Sequence, residues 1–175
     1  MRRRDLPLDF VPPAIRVANP SCGQIAARKA VSGDRLKLEE LYRIENRTVV
    51  RVTYRDTDQM GHAYYANHLV WFEIGRTEFV RQLGRSYREI ESEGVFLPVV
   101  SVQVGYRAPA RYDDLLEVRT RVVKLSHVGI AFDYRIVRIE PNDGAVIAEG
   151  SSRHAFVDRD GKVLKNGFAI LGVER

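Results

Sequence analysis

The alternation of apolar and polar side chains predicts most of the strands in this chain. Residues 48–55 place Val50, Val52 and Tyr54 on one side and threonine or arginine on the other, which is the period of a half-buried strand. A turn-rich stretch with Pro, Asn, Asp and Gly at 141–144 favours a tight hairpin turn. Further strands are predicted over 95–106, 115–125, 130–139 and 145–158.

A long helix is predicted between the first strand and the others. Apolar side chains recur at helical spacing from Tyr64 to Leu83 and include Tyr65, Leu69, Phe72, Phe79 and Val80, while Trp71 and Ile74 widen the apolar face. Gly84 is a suitable helix stop, and a shorter helix is predicted over 86–93. This order of elements predicts an α+β fold in which one antiparallel sheet wraps around a long central helix.

The first part of the chain has a different texture. Four prolines interrupt residues 1–20, and no hydrophobic period survives between them. Residues 36–44 have near-helical apolar spacing, and Asp34 could cap that short helix. We therefore predict an irregular N-terminal extension over 1–46, with one short helix, followed by a folded domain over 47–175.

Composition narrows the class of protein. The 175 residues are 45% hydrophobic and 29% charged, which excludes wholesale disorder and fibrous architectures. No stretch approaches the roughly 20 apolar residues of a membrane-spanning helix, and the start of the chain lacks the apolar segment of a secretory signal. The single cysteine, Cys22, excludes an intramolecular disulfide framework. We expect a cytoplasmic protein without membrane insertion.

Charge adds little to this picture. The net charge is +5, and residues 1–46 carry +3 of it, with nine Lys or Arg against six Asp or Glu. Such a mild excess favours a solvated surface over a nucleic-acid partner, although attraction for the phosphates of a nucleotide-bearing small molecule would also fit.

The densest polar cluster lies between the first strand and the long helix. It contains Asp56, Asp58, Gly61, His62 and Asn67. A helix start offers free backbone N–H groups and the positive end of the helix dipole. A carboxylate beside such donors suits acyl transfer, because one group attacks or activates water while the other stabilises the oxyanion. Without this context, turn formation would be the favoured interpretation of both aspartates.

Two motifs resemble the 4-hydroxybenzoyl-CoA thioesterase family of hot-dog-fold acyl-CoA hydrolases. The first runs Tyr54-x-Asp56-x-Asp58-x-x-Gly61-x-x-Tyr64-x-x-Asn67 and continues into Phe72-Glu-x-x-Arg76. The second runs Tyr106-x-x-Pro109-x-x-x-Asp113-Asp114-x-Leu116. The similarity covers roughly residues 47–160 and implies a hot-dog fold and acyl-CoA thioesterase activity.

The resemblance also implies roles for individual residues. The catalytic carboxylate falls on Asp58, as nucleophile or general base, and the carbonyl-polarising backbone N–H falls on Tyr65. Asp56, Gly61 and Asn67 would support the loop, and His62 is a further candidate for the active site. Coenzyme A would be part of the substrate rather than a cofactor, and the family binds it with basic side chains near the subunit edge. Candidates for this role are Arg107, Arg111, Lys124, Ser126 and His127, because they lie at predicted strand ends or in the turn that joins two strands. Members of the family form dimers or tetramers with the active site at the subunit junction.

The sequence departs from the family pattern at three positions. Residues 62 and 68 are His and residue 65 is Tyr, where many relatives have an apolar residue, an aromatic residue and His respectively. The identity of the acyl group therefore stays open, as does the choice between coenzyme A and an acyl carrier protein.

Rival interpretations find less support in the sequence. Glu73 could be a helix-borne catalytic acid, but Arg76 offers it a simple ion pair. A calcium loop opening at Asp56 fails because positions five and twelve are Met60 and Asn67, and zinc spacing is absent, so no metal is expected. An acyl-CoA sensor without catalytic activity is the main alternative function, with the extension as its partner-binding part. A hot-dog dehydratase would need a catalytic His before a Phe-Pro-Gly segment, which this chain lacks.

Overall fold

The computed structural model describes residues 35–174. Five strands form one antiparallel sheet: β2 (Glu45–Arg51), β3 (Val99–Tyr106), β4 (Leu115–Leu125), β5 (Gly129–Glu140) and β6 (Val146–Ala155). Their order across the sheet is β2-β4-β5-β6-β3. A separate parallel ladder joins β1 (Leu36–Lys37) to β7 (Val173–Glu174). The helices are α1 (Leu38–Leu41), α2 (Asn67–Gln82), α3 (Tyr87–Ser92) and α4 (Gly167–Ile170).

The long helix α2 packs on the inner face of the sheet. Phe72 stacks on Tyr134 of β5 with ring centroids 4.2 Å apart, and Phe79 meets Phe132 edge-on. These rings belong to a buried core that includes Trp71. The predicted α+β fold, with one antiparallel sheet around a long helix, is confirmed.

Gly75 lets α2 approach the sheet closely. A Cβ atom built at this position would lie 2.4 Å from Thr120 Oγ1 and 2.9 Å from Val118 Cγ1. Both neighbours are on β4, in the interior of the sheet. The sequence thus places a glycine in mid-helix where the packing leaves no room for a side chain.

A chain of buried polar groups crosses the inner face of the sheet. The hydroxyl groups of Tyr134 and Ser152 are 2.7 Å apart, and Ser152 Oγ is 2.8 Å from His154 Nε2. His154 Nδ1 lies 3.2 Å from the carbonyl oxygen of Leu97. A carbonyl only accepts hydrogen bonds, so Nδ1 carries the proton. His154 Nε2 then accepts a hydrogen bond from the Ser152 hydroxyl, so each of these three buried side chains has a hydrogen-bond partner.

The element bounds differ from the predicted ones in several places. Strand β3 begins at Val99 instead of residue 95, and β6 ends at Ala155 instead of residue 158. The first strand ends at Arg51 instead of residue 55, and Tyr54 lies in a 3₁₀ turn over Tyr54–Asp56. Helix α2 begins at Asn67 instead of Tyr64, because the chain first makes a turn through Tyr65. The helix predicted over 36–44 is only the single turn α1, whose Leu41 is buried with Ile44 in the core; Asp34 and Cys22 lie outside the described residues. The short helix predicted over 86–93 is confirmed as α3.

Strand β3 lies at an edge of the sheet and pairs only with β6 among residues 35–174. Its side chains Val99, Val100 and Val102 are exposed. An apolar edge strand with an unpaired backbone is a ready surface for pairing with another strand. Within 35–174, no helix has the length and apolar character needed to cross a membrane.

Candidate active site

The segment between β2 and α2 folds as a small hairpin that holds the predicted acidic residues. Thr57 and Ala63 form an antiparallel bridge, and Ala63 donates its N–H to the carbonyl of Ala110 at 2.8 Å. Gly61 closes the turn with a φ of +72°, a conformation that glycine adopts without the steric cost other residues bear. The hairpin brings Asp58 close to the residues that precede α2.

Asp58 uses one carboxylate oxygen to hold its own turn. The oxygen Oδ1 accepts hydrogen bonds from the backbone N–H groups of Met60 at 2.8 Å and His62 at 3.4 Å. The other oxygen, Oδ2, has no hydrogen-bond partner among residues 35–174. The hydrogen bonds to Oδ1 fix the half-buried carboxylate in position. Its second oxygen, Oδ2, remains available to a substrate or a water molecule.

The same turn occurs a second time in the chain, at Asp158. There too Oδ1 accepts from the N–H groups two and four residues later, at 3.0 and 2.8 Å. Gly161 has a φ of +80°, and Val157 bridges Val163. The turn-forming interpretation of Asp58 is therefore correct as far as Oδ1 is concerned. The two aspartates differ in their surroundings, because only the turn of Asp58 leads into the start of a long helix.

Asp56 ties the hairpin to that helix start. Its carbonyl oxygen accepts from the Tyr64 N–H at 2.7 Å and from Asn67 Nδ2 at 2.8 Å. Its carboxylate Oδ2 accepts from the backbone N–H and the hydroxyl of Thr53 at 2.7 and 2.6 Å. All these bonds act within the loop or join it to the first residue of α2.

The turn before α2 contains two free donors. The backbone N–H groups of Tyr65 and Ala66 donate no hydrogen bond within residues 35–174, whereas Asn67 N–H donates to the carbonyl of Tyr64 at 2.9 Å. Free N–H groups at the N-terminus of a helix of 16 residues favour a negatively charged oxygen. The Tyr65 N–H predicted to polarise a carbonyl is thus free, in the turn that immediately precedes the helix.

Two further residues contact this turn, and neither was among the predicted site residues. His68 is buried, and its Nδ1 lies 3.0 Å from the carbonyl of Tyr65; the Tyr106 hydroxyl donates to the same carbonyl at 3.3 Å. Burial lowers the pKa of His68, so its ring is neutral near pH 7 and holds the turn as an N–H donor. The sequence gives little signal for this contact, because its acceptor is a backbone carbonyl.

His62 contributes to the turn through its backbone. Its carbonyl accepts from the Asp58 N–H at 2.8 Å, and its half-buried ring has no hydrogen-bond partner among the described residues. Glu73 is an exposed residue of α2 that lies 3.5 Å from Arg76, which is the ion pair expected from the sequence. Within 35–174, no three potential ligand side chains cluster as a metal site.

The residues predicted to bind coenzyme A lie at two opposite ends of the sheet in the described chain. Arg107 follows β3 at the Asp58 end of the sheet and pairs with Glu149 at 3.2 Å. Lys124, Ser126 and His127 lie at the other end of β4, a strand about 33 Å long at the usual rise per residue. At that end, Ser126 Oγ accepts a hydrogen bond from the Gly129 N–H at 3.2 Å. Within the described chain, this set therefore does not form one binding site.

Comparison with known proteins identifies the family of this sequence. A family model described as "Thioesterase-like superfamily" matches residues 52–166. The chain is 34% identical over 111 residues to the putative acyl-CoA thioesterase YneP of Bacillus subtilis, covering 63% of this chain and 78% of that protein. It is 38% identical over 91 residues to the acyl-CoA thioester hydrolase YbgC of Escherichia coli O6:H1, covering 52% of this chain and 68% of the relative.

The fold is also that of a solved thioesterase. The structure of 4-hydroxybenzoyl CoA thioesterase from Pseudomonas sp. strain CBS-3 superimposes with a TM-score of 0.67 over 73% of this chain and 96% of the other, at 18% identity. That identity supports the fold alone. The family match and the relatives named as thioesterases confirm the resemblance seen in the two sequence motifs and the predicted class, thioester hydrolases. The chain belongs to the thioesterase-like superfamily.

Proposed function

We propose that this protein hydrolyses acyl-CoA thioesters to a free carboxylic acid and coenzyme A. One observation carries the proposal: Asp58 presents a carboxylate oxygen that is unpaired among residues 35–174, on a loop that Asp56 ties to a turn with free N–H groups. The relatives named as acyl-CoA thioesterases support the choice of substrate class.

The chemistry assigns one task to each group. The thioester carbonyl oxygen accepts from the Tyr65 N–H, which stabilises the negative charge of the tetrahedral intermediate. Asp58 Oδ2 either attacks the carbonyl carbon, forming a mixed anhydride that water then hydrolyses, or takes a proton from the water that attacks. In both routes the C–S bond breaks, the thiolate leaves as coenzyme A and takes up a proton, and water supplies the oxygen of the acid. Both routes require the unpaired Oδ2.

We infer that the protein acts as a homo-oligomer joined through β3. The exposed valines and the unpaired backbone of this edge strand favour pairing with a second copy. Antiparallel pairing about a two-fold axis would place the start of one β3 beside the end of the other. That end carries Tyr106, whose hydroxyl reaches the turn of Tyr65. The far end of one sheet, with Lys124 and His127, would then approach the Asp58 end of its partner.

Thiol release from a panel of acyl-CoAs tests the function. Acetyl-, octanoyl- and benzoyl-CoA sample short, long and aromatic acyl groups. We expect at least one to be hydrolysed, and we expect Asp58→Asn to lower kcat by about 10²–10⁴-fold, the usual contribution of a positioned general base. No release from any acyl-CoA, combined with tight binding, would contradict the proposal and favour the acyl-CoA sensor. Release that persists unchanged in Asp58→Asn would refute the assigned mechanism.

A further inference from the structure

An exposed aromatic and basic patch adjoins the Asp58 loop and has no part in the proposed bond-breaking steps. Tyr54 and Tyr112 are 80% and 58% exposed, and their rings meet edge-on with centroids 5.6 Å apart. Arg55 and Arg111 are their neighbours in sequence and are exposed as well. We call these four residues the Tyr54–Tyr112 patch.

The backbone on both sides of the patch is fixed. Tyr54 begins the 3₁₀ turn that Thr53 and Asp56 close. On the other side, Asp113 adopts a φ of +70°, which is uncommon for a residue other than glycine. It is held there by its N–H bond to the Val52 carbonyl at 2.9 Å and by Arg51, which donates to its carbonyl oxygen at 2.8 Å. The two rings are therefore presented in a set arrangement, although solvent surrounds them.

The two arginines of the patch are available to an anion. The guanidinium of Arg111 has no hydrogen-bond or ion-pair partner among residues 35–174. Arg55 Nε lies 3.9 Å from Asp56 Oδ1, which is a long ion pair. The Asp56 carboxylate also accepts a hydrogen bond from Thr53, so Arg55 keeps donors for a second anion. Planar guanidinium groups suit phosphate oxygens, and tyrosine rings suit the face of a nucleobase.

We propose that the Tyr54–Tyr112 patch binds the nucleotide end of coenzyme A, with the base on a tyrosine ring and the phosphates at Arg55 and Arg111; this rests on the proposed acyl-CoA hydrolysis. Position supports the assignment. Tyr54 precedes Asp58 by four residues, so the two Cα atoms lie at most about 14 Å apart. The pantetheine arm of coenzyme A extends over such a distance between nucleotide and thioester. The patch needs no second subunit, unlike the set that includes Lys124.

The test compares one acyl group on two carriers. The measured quantity is kcat/KM for the acyl-CoA divided by kcat/KM for the same acyl group on pantetheine, which lacks the nucleotide. We expect Tyr54→Ala to lower this ratio about tenfold, as base stacking on an aromatic ring predicts, and Tyr54→Phe to preserve it. Arg111→Ala lowers the ratio too, most strongly at low salt. Arg88→Ala, an exposed arginine of α3, is the charge-matched control and leaves the ratio as it is.

Two results overturn the proposal. One is a ratio that stays constant in both Tyr54→Ala and Arg111→Ala. The other is a ratio that falls only in Lys124→Ala, which would place the nucleotide at the far end of a partner's sheet. If the wild type hydrolysed no thioester, the proposed function would fail separately, and calorimetric binding of adenosine 3′,5′-bisphosphate would still test the patch. Weaker binding by Tyr54→Ala than by Tyr54→Phe supports the site, and no binding by the wild type refutes it.

Discussion

Acidification should destabilise this protein through His154. The imidazole is 2% exposed, and burial together with the nearby positive charge of Arg76 lowers the pKa of His154 from 6.5 to about 4. Between these two pH values the unfolded chain binds a proton that the folded protein excludes. The free energy of unfolding is therefore unaffected by His154 above pH 6.5 and falls as the pH drops toward 4.

The size of the effect depends on the pKa shift. One pKa unit corresponds to about 1.4 kcal/mol, so the full difference is about 3 kcal/mol and the loss from pH 7 to pH 5 is about 2 kcal/mol. His154→Gln keeps a polar group near Ser152 and removes the titration. We expect the wild type to lose about 2 kcal/mol more than His154→Gln over this pH range; His68 titrates in both proteins, so its contribution cancels.

Urea unfolding at fixed protein concentration measures this difference. The fluorescence of Trp71, the single tryptophan of the chain and part of the buried core, reports the transition. The prediction would be wrong if the free energy of unfolding fell equally with pH in the wild type and in His154→Gln. That result would show that the hydrogen bonds from Tyr134 to the Leu97 carbonyl do not keep the His154 imidazole neutral.

Two further predictions concern packing and assembly. Gly75→Ala should lower the free energy of unfolding by about 1–3 kcal/mol, the usual cost of overpacking, because its Cβ would meet Thr120 and Val118 on β4; urea unfolding that matches the wild type would contradict the close approach of α2. Val102→Lys should shift the protein toward monomer in analytical ultracentrifugation, since a charge on the exposed face of β3 opposes strand pairing. An unchanged sedimentation coefficient would exclude β3 as the interface.

Local patterns in the sequence were sufficient for the order of elements. The alternation over 115–125 predicts β4 at the bounds observed, because each side chain of a central strand faces either the core or the opposite surface. The same rule fails at Tyr54, where the alternation continues although the chain has left the sheet after Arg51. Side-chain pattern alone does not reveal where the neighbouring strand stops providing backbone partners.

Long-range contacts account for the other differences between the predicted and the observed structure. The pairing of Leu36 with Val173 joins the two ends of the described chain and cannot be read from either segment. Lys124 and Arg107 were predicted to bind coenzyme A together because both lie near strand ends. The strand directions, however, put these two residues at opposite ends of the sheet. The role of His68 depends on a backbone carbonyl, for which side-chain identity gives little signal.

The most direct test of the account uses the two equivalent turns at Asp58 and Asp158. Both aspartates cap their turns through Oδ1 with nearly the same hydrogen bonds, so Asn at either position should cost similar stability. The kcat for acyl-CoA hydrolysis should fall about 10²–10⁴-fold in Asp58→Asn and stay near the wild-type value in Asp158→Asn. Equal losses in the two variants would show that Asp58 only shapes its turn, and the proposed catalytic role would be wrong.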